Sequence, residues 1–223
     1  MPTILMLILF GMSFSSHAVP PYSCRNGHFP TYEGIHLAEI VGNGSEKVYA
    51  RGDWDGCPEH ESCIQKGYLI KGDRVLATNT TDGWVCIYYF GKKRDYVGWV
   101  KQHEVKDIIT PTTAEANGWL GKWASIGGID SIQIRSGNAG MLEINGKAKW
   151  LGGKNSSGEE IVHFGQVQGV ARPNENRVVI SEGDENHSCV LTLNLIDAFL
   201  IATDNEKCGG MNVRFNGVYK QNF

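Results

Sequence analysis

The six cysteines constrain this chain more than any other feature of its sequence. They are Cys24, Cys57, Cys63, Cys86, Cys189 and Cys208. None has the C-x-x-C spacing of zinc sites or thioredoxin-like redox sites. An even number of cysteines without that spacing favours disulfides, which form in oxidising compartments. The chain is therefore expected to be exported.

The N-terminus carries a matching export signal. The apolar run Ile4–Met12 spans nine residues, and Ser16-His17-Ala18 fits the small-x-Ala pattern of a signal peptidase site. The run is too short to cross a membrane, which takes about 20 apolar residues. We expect residues 1–18 to be removed as a signal peptide. The mature chain would then be periplasmic or secreted, with no membrane insertion after cleavage.

The distribution of the cysteines narrows their pairing. Four lie before Pro111 and two after it, which makes Cys189–Cys208 the natural pair of the second half. In the first half, Cys57–Cys63 with Cys24–Cys86 is favoured. Cys24–Cys57 with Cys63–Cys86 is an open alternative at this stage.

Alternating apolar and polar residues, interrupted by Gly, Asn and Asp, predict short antiparallel strands throughout. Residues 110–118 read TPTTAEANG, a polar stretch between two strand-rich blocks. We predict an all-β protein with a first domain over residues 19–110, a linker over 111–118 and a second domain over 119–223.

The first block contains six candidate elements. They are Lys47–Arg51, Tyr68–Ile70, Arg74–Thr78, Trp84–Phe90, Tyr96–Val100 and a closing element, His103–Ile108. In the fourth element, alternation places Trp84, Cys86, Tyr88 and Phe90 on one face and Val85, Ile87 and Tyr89 on the other.

Three short motifs in this block carry a family resemblance. Leu69–Val75, Gly83-Trp84-Val85 and Gly98-Trp99-Val100 resemble the turn and strands of bacterial SH3-like (SH3b) domains over about residues 46–108. The resemblance implies a small five-stranded barrel preceded by an N-terminal extension. For some family members it also implies binding to peptidoglycan.

The second block is predicted to form a closed antiparallel barrel or a sandwich, because it holds eight candidate strands. They are Ile129–Arg135, Met141–Ile144, Ala148–Leu151, Ile161–Val170, Arg177–Ser181, Ser188–Leu195, Phe199–Thr203 and Met211–Tyr219. Asn145-Gly146 predicts a hairpin between the second and third of these. Gly121-Lys122-Trp123 and Phe215–Tyr219 resemble the opening and closing segments of lipocalin-like barrels.

Motifs for common chemistries are absent from the sequence. There is no G-x-S-x-G nucleophile motif and no phosphate-binding G-x-x-x-x-G-K-[ST]. Asp53-x-Asp55-Gly56 starts like a calcium loop, but the twelfth position is Ile64 instead of Glu. Net charge is −3 and neither half is basic, which argues against nucleic-acid binding. We predict no catalytic residue, no metal and no cofactor.

The best candidate site is the loop from Gly52 to Ser62. It carries Asp53, Trp54, Asp55, Glu59, His60 and Glu61 around the predicted Cys57–Cys63 disulfide. A disulfide orders a loop in advance and lowers the entropic cost of binding. Trp54 is the candidate anchor, unless it folds back over the barrel end. Tyr88 and Tyr96 are secondary candidates.

These features favour an exported binding protein over an enzyme. The preferred hypothesis is an inhibitor or immunity protein against an envelope toxin or cell-wall hydrolase, whose basic surface would complement the acidic loop. The first alternative, implied by the SH3b resemblance, is a peptidoglycan-binding module. The second is an enzyme with a site in the second barrel.

Overall fold

The structure is a computed structural model that describes residues 24–221 except 27, 32–33, 43, 45–46, 92–94, 110–115, 127 and 185–186. The predicted signal peptide, residues 1–18, lies outside the described residues, as does most of the predicted linker. The all-β prediction is confirmed. Among the described residues there are one short α-helix, α1 (Ala116–Trp119), and three 3-10 helices of three residues each, Glu61–Cys63, Gln102–Glu104 and Asn138–Gly140. No helix in the described part of the chain is long and apolar enough to cross a membrane.

The first half forms a five-stranded antiparallel sheet with the strand order β4-β3-β2-β1-β5. The strands are β1 (His36–Ile40), β2 (Arg74–Ala77), β3 (Trp84–Phe90), β4 (Asp95–Lys101) and β5 (Val105–Asp107). Strand β1, which the sequence pattern did not single out, pairs with both β2 and β5 through Leu37↔Leu76 and Ala38↔Asp107.

The prediction of a ladder strand at Lys47–Arg51 was wrong. Val48 bridges only Leu69, while Arg51 bridges Ile64 and Trp99. The segment crosses β4 at Gly98, where an added Cβ would lie 2.7 Å from the Arg51 carbonyl oxygen. Residues 47–51 and 64–70 are thus joined by isolated bridges instead of a continuous ladder, and we call this pair of segments the ribbon.

Strand β3 follows the predicted alternation. Val85 and Ile87 are buried in one core with Tyr89 packed against it, while Trp84 and Cys86 are buried in a second cluster on the opposite face. A strand buried on both faces must be apolar along its whole length, which explains the unbroken run WVCIYYF.

The three favoured disulfides are all present: Cys24–Cys86, Cys57–Cys63 and Cys189–Cys208. Cys24–Cys86 holds the N-terminal segment against β3 and β4. The Val97 amide on β4 donates to Asn26 Oδ1 (2.8 Å), and the Phe29 ring meets Tyr88 edge-on at 5.4 Å. This segment thus covers part of β4, which is the edge strand of the sheet.

The second half forms a nearly closed eight-stranded antiparallel barrel. Its strands are β6 (Gly121–Ser125), β7 (Ser131–Ser136), β8 (Leu142–Lys154), β9 (Glu160–Ala171), β10 (Arg177–Glu182), β11 (Cys189–Ile196), β12 (Phe199–Asp204) and β13 (Gly217–Gln221). Strands β6 to β9 pair in chain order, as do β10 to β13, and β13 also pairs with β6. At the remaining seam, between β9 and β10, the backbone N–H of Gln168 donates to the Glu182 carboxylate (2.7 Å).

The hairpin predicted at Asn145-Gly146 was wrong, because β8 runs straight through it. Asn145 pairs with Gln133 and Gln168, and Gly146 pairs with Ile132 and Val167. A Cβ on Gly146 would lie 2.8 Å from the Phe215 ring. The glycine therefore admits a large core side chain instead of making a turn.

Aromatic side chains fill one end of the barrel core. Trp119, Trp123, Phe215 and Tyr219 are each at most 1% exposed. The Trp123 indole donates to the Trp119 carbonyl (2.9 Å), and the Tyr219 hydroxyl donates to the Phe215 carbonyl (2.9 Å). Burial raises the pKa of Tyr219 well above its ordinary value. The motifs GKW and FNGVY thus supply core residues at both ends of the barrel sequence.

The two sheets are joined by an apolar cluster. Leu37 and Leu76 from the first sheet are buried with Ile196, Ile201 and Val218 from the barrel. At its edge the Phe90 and Phe199 rings stack at 4.0 Å, and Lys220 Nζ lies 4.2 Å from the centre of the Phe90 ring. Strand β12 is consequently buried on both faces over Leu200–Ala202.

Replacing Gly146 with Ala should destabilise the barrel by about 1–3 kcal/mol, since the new methyl group overpacks Phe215 and Val167. Urea unfolding measures the loss. Gly217→Ala is the matched control, because the nearest atom to its Cβ would be 3.7 Å away. An equal effect of the two substitutions would contradict the packing role of Gly146.

The Phe90–Phe199 stack should couple the two sheets. In a double-mutant cycle of Phe90→Leu and Phe199→Leu, we expect a coupling energy of about 0.5–1.5 kcal/mol. Chemical unfolding of the four proteins measures it. Additive effects would show that the stack does not contribute to joining the sheets.

Candidate functional site

Hydrogen bonds hold the loop from Gly52 to Cys63 against the first sheet. Arg51, the residue before the loop, donates from Nη1 to the carbonyls of Pro58 (3.2 Å), Glu59 (3.3 Å) and His60 (2.9 Å). The backbone of Arg51 is itself bonded to Trp99 on β4 in both directions. A guanidinium presents several donors in a fixed plane, so one side chain orders three successive residues of the loop.

Two of the predicted binding acids accept hydrogen bonds from the scaffold. Asp53 takes one from the Trp99 indole (3.1 Å) and one from the Cys24 amide (2.8 Å). Glu59 takes a hydrogen bond of 2.6 Å from the Trp84 indole. Both tryptophans are at least 95% buried, and a buried indole N–H needs an acceptor.

Glu59 is also close to a cation. Lys101 Nζ lies 3.7 Å from its carboxylate and 3.6 Å from the centre of the Trp84 ring. The hydrogen bond from Trp84, assisted by the positive charges of Lys101 and Arg51, lowers the pKa of Glu59 despite some desolvation. Glu59 therefore stays ionised and keeps the middle of the loop attached to β3.

Trp54 occupies an intermediate position between the two orientations considered from sequence. Its ring lies on the backbone of Gly52, where an added Cβ would be 1.6 Å from Trp54 Cζ3. The side chain nevertheless remains 48% exposed. Because Gly52 has no side chain, the indole packs directly on its backbone and remains partly exposed to solvent.

The remaining loop candidates point to solvent. Asp55, His60 and Glu61 are exposed, and their side chains make no hydrogen bond or ion pair with another residue in the described part of the chain. They surround the Cys57–Cys63 disulfide, whose loop is further closed by the hydrogen bond from the Gly52 amide to the Cys63 carbonyl (2.8 Å). These three side chains are available to a partner.

The two tyrosine candidates lie away from this surface. Tyr88 lies between the rings of Phe29 and Phe90 at the junction of the sheets, where burial and the nearby Asp95 raise its pKa. Tyr96 lies beneath the ribbon, its hydroxyl donating to the Ala50 (3.4 Å) and Gly67 (3.3 Å) carbonyls. Burial raises the pKa of Tyr96 to about 12.

Four apolar side chains beside the loop were missed by the sequence prediction. Tyr49, Ile64, Tyr68 and Ile70 are 42–50% exposed, and the Tyr49 and Tyr68 rings are 6.0 Å apart. The signal for three of them was available: Val48 and Ala50 alternate with Tyr49, and Leu69 lies between Tyr68 and Ile70. Because the smaller residues fill the core, the larger ones must face outward.

Together these residues form one face, which we name the recognition face: Tyr49, Trp54, Asp55, His60, Glu61, Ile64, Tyr68 and Ile70. Five of the twelve large apolar side chains that are exposed in the described chain belong to it. The ribbon joins its members, since Arg51 bridges Ile64 and Val48 bridges Leu69. Lys47 Nζ lies 4.5 Å from the centre of the Tyr68 ring, so the face carries basic as well as acidic groups. Exposed aromatic side chains among polar groups are typical of protein-binding surfaces.

No protein family, no curated protein and no solved structure matches the chain. The SH3b and lipocalin-like resemblances therefore stay predictions. Within the described residues, no group of three or more His, Cys, Asp or Glu side chains could hold a metal ion.

Acid should loosen the loop through Glu59. Since the folded state lowers the pKa of Glu59, its carboxylate contributes stability above its ordinary pKa, and that contribution is lost as pH falls through the lowered value. Urea unfolding of the wild type and Glu59→Gln from neutral to acidic pH should show a smaller acid-induced loss in the variant.

Glu61→Gln is the control for this titration, because the Glu61 side chain has no partner in the described residues. Hydrogen exchange should also accelerate at residues 54–63 in Glu59→Gln and not in Glu61→Gln. Unchanged exchange and an unchanged acid limb in Glu59→Gln would show that this carboxylate does not hold the loop.

Proposed function

We propose that this chain is a non-catalytic, exported binding protein of the bacterial cell envelope that recognises a protein partner through its recognition face. The observation that carries the proposal is the combination of exposure and rigidity in residues 49–70. Trp54, Tyr49 and Tyr68 are between 42% and 50% exposed. The loop that carries Trp54 is held by a disulfide, the Arg51 guanidinium and two indole–carboxylate hydrogen bonds, while Tyr49 and Tyr68 flank the bridged residues Val48 and Leu69.

Rigidity matters because a surface ordered before binding loses little conformational entropy when a partner docks. Trp and Tyr are the residue types that most often dominate the energy of protein interfaces. The acids Asp55 and Glu61 at the loop tip would steer a basic partner toward this face. The chemistry fits an inhibitor or immunity protein whose target is a basic toxin or cell-wall hydrolase.

The compartment forms part of the same proposal. Three disulfides in 223 residues indicate an oxidising environment, and the predicted signal peptide specifies export to the periplasm or beyond. A cell-envelope hydrolase or toxin would meet the protein there.

Chemical cross-linking in periplasmic extract, followed by mass spectrometry, tests the proposal. Three baits are compared: wild type, the double variant Trp54→Ala/Tyr68→Ala, and Leu151→Ala, which removes a still more exposed apolar side chain (62%) from the barrel. We expect a partner on the wild type and on Leu151→Ala that is lost from the double variant. With the purified partner, Trp54→Ala should weaken binding by more than about 1 kcal/mol, and added salt should slow association.

Sedimentation with purified peptidoglycan distinguishes the alternative. Pelleting of the wild type with cell wall, with no protein that distinguishes the wild-type bait from the double variant, would replace the protein-partner proposal with the peptidoglycan one. Equal losses in Leu151→Ala and Trp54→Ala would remove the recognition face from the argument.

A further inference from the structure

The outer surface of the barrel carries a second concave site, far from the loop in sequence. Strands β6 to β9 form a depression of about 790 Å³ on the outside of the barrel. Three cations from different strands line it: Lys122 on β6, Arg135 on β7 and Lys147 on β8. We name this depression the barrel groove.

The cations of the barrel groove have no ion-pair partner in the part of the chain that the structure describes. None of Lys122, Arg135 and Lys147 makes an ion pair among the described residues. The one carboxylate in the lining is Glu143, opposite Arg135 on the neighbouring strand. The groove thus has a formal charge of +2 on a chain whose net charge is −3.

Amide side chains fill the space between the charges. Gln133, Asn145 and Gln168 stand directly opposite one another on β7, β8 and β9, and Lys122 on β6 continues the row. Neighbouring strands are about 4.8 Å apart, so the row extends roughly 14 Å across the sheet. Gln133 Nε2 donates to the Gly121 carbonyl (2.9 Å), which orients its amide.

This composition selects the chemistry of the ligand. An amide can donate and accept hydrogen bonds at once, as needed to bind hydroxyl groups, whereas Lys and Arg can only donate and favour anions. Val170 is the only large apolar side chain of the lining that is exposed, so a peptide would find no deep apolar pocket. The aliphatic stems of the cations can instead pack against the C–H faces of sugar rings.

We infer that the barrel groove binds an anionic oligosaccharide, a chain of hydroxylated rings carrying carboxylates. Carboxylates meet Lys122, Arg135 and Lys147, while ring hydroxyls meet the amide row. The site lies on different strands from the recognition face, and it operates whether or not a protein partner is bound there.

Calorimetric titration with three probes of equal length tests this site. The probes are a hexamer of galacturonic acid, neutral maltohexaose, and hexaglutamate, which has carboxylates without sugar rings. We expect the galacturonate hexamer to bind at least about tenfold more tightly than either of the others, because only it satisfies both the cations and the amides.

Variants locate the binding. Arg135→Gln with Lys147→Gln should weaken galacturonate binding by about tenfold or more, and Asn145→Ala by several-fold. Lys66→Gln with Lys71→Gln, two exposed lysines of the first half, is the charge-matched control and should leave binding unchanged, as should Trp54→Ala. Circular dichroism verifies that each variant is folded.

Three outcomes would overturn the inference. Hexaglutamate binding as tightly as galacturonate would show attraction of any polyanion. Equal loss in Lys66→Gln with Lys71→Gln would place the binding outside the groove, and absence of galacturonate binding to the folded wild type would eliminate the site. None of these outcomes affects the recognition face, whose test uses other variants and another partner class.

Discussion

Strand β3 is the element on which the other parts of this structure depend. Along one of its faces, successive alternate residues hold different parts of the molecule. Trp84 binds the loop through Glu59, Cys86 binds the N-terminal segment through Cys24, and Phe90 stacks on Phe199 of the barrel. Its opposite face supplies Val85 and Ile87 to the core of the first sheet. Because alternate side chains of a strand point to opposite faces, one face of β3 joins the other parts of the molecule and the other face packs in the core.

This arrangement explains why the candidate loop can be both exposed and ordered. A surface loop normally retains conformational freedom that must be lost on binding. Here the buried indoles of Trp84 and Trp99 require acceptors, and Glu59 and Asp53 provide them from the loop. The hydrogen bonds from these buried indoles therefore order the loop, while Trp54, Asp55 and Glu61 remain available to a partner. Acidic residues that look equivalent in sequence divide into those that hold the loop and those that face outward.

Much of the fold was predictable because its signals are local. Alternation in Trp84–Phe90 defined both faces of β3, and the cysteine distribution favoured the three disulfides that form. The two wrong predictions share a physical cause, which is contact with residues distant in the chain. Asn145-Gly146 is a strong turn signal, yet the space needed by Phe215 places it in the middle of a strand. Lys47–Arg51 looks like a strand, yet its crossing at Gly98 limits it to isolated bridges.

An all-β chain with three disulfides follows from the sequence alone, as does a loop rich in acids around Trp54. Short-range alternation and cysteine spacing are enough for this, because they reflect strand geometry and local covalent closure. Which loop residues face solvent follows from the three-dimensional packing, since it depends on where the buried indoles of Trp84 and Trp99 find acceptors. The packing has a second consequence. It also brought Tyr49 and Tyr68 beside the loop and aligned Lys122, Gln133, Asn145 and Gln168 in one row. Strand register places such residues together, and register is set by packing across the whole sheet.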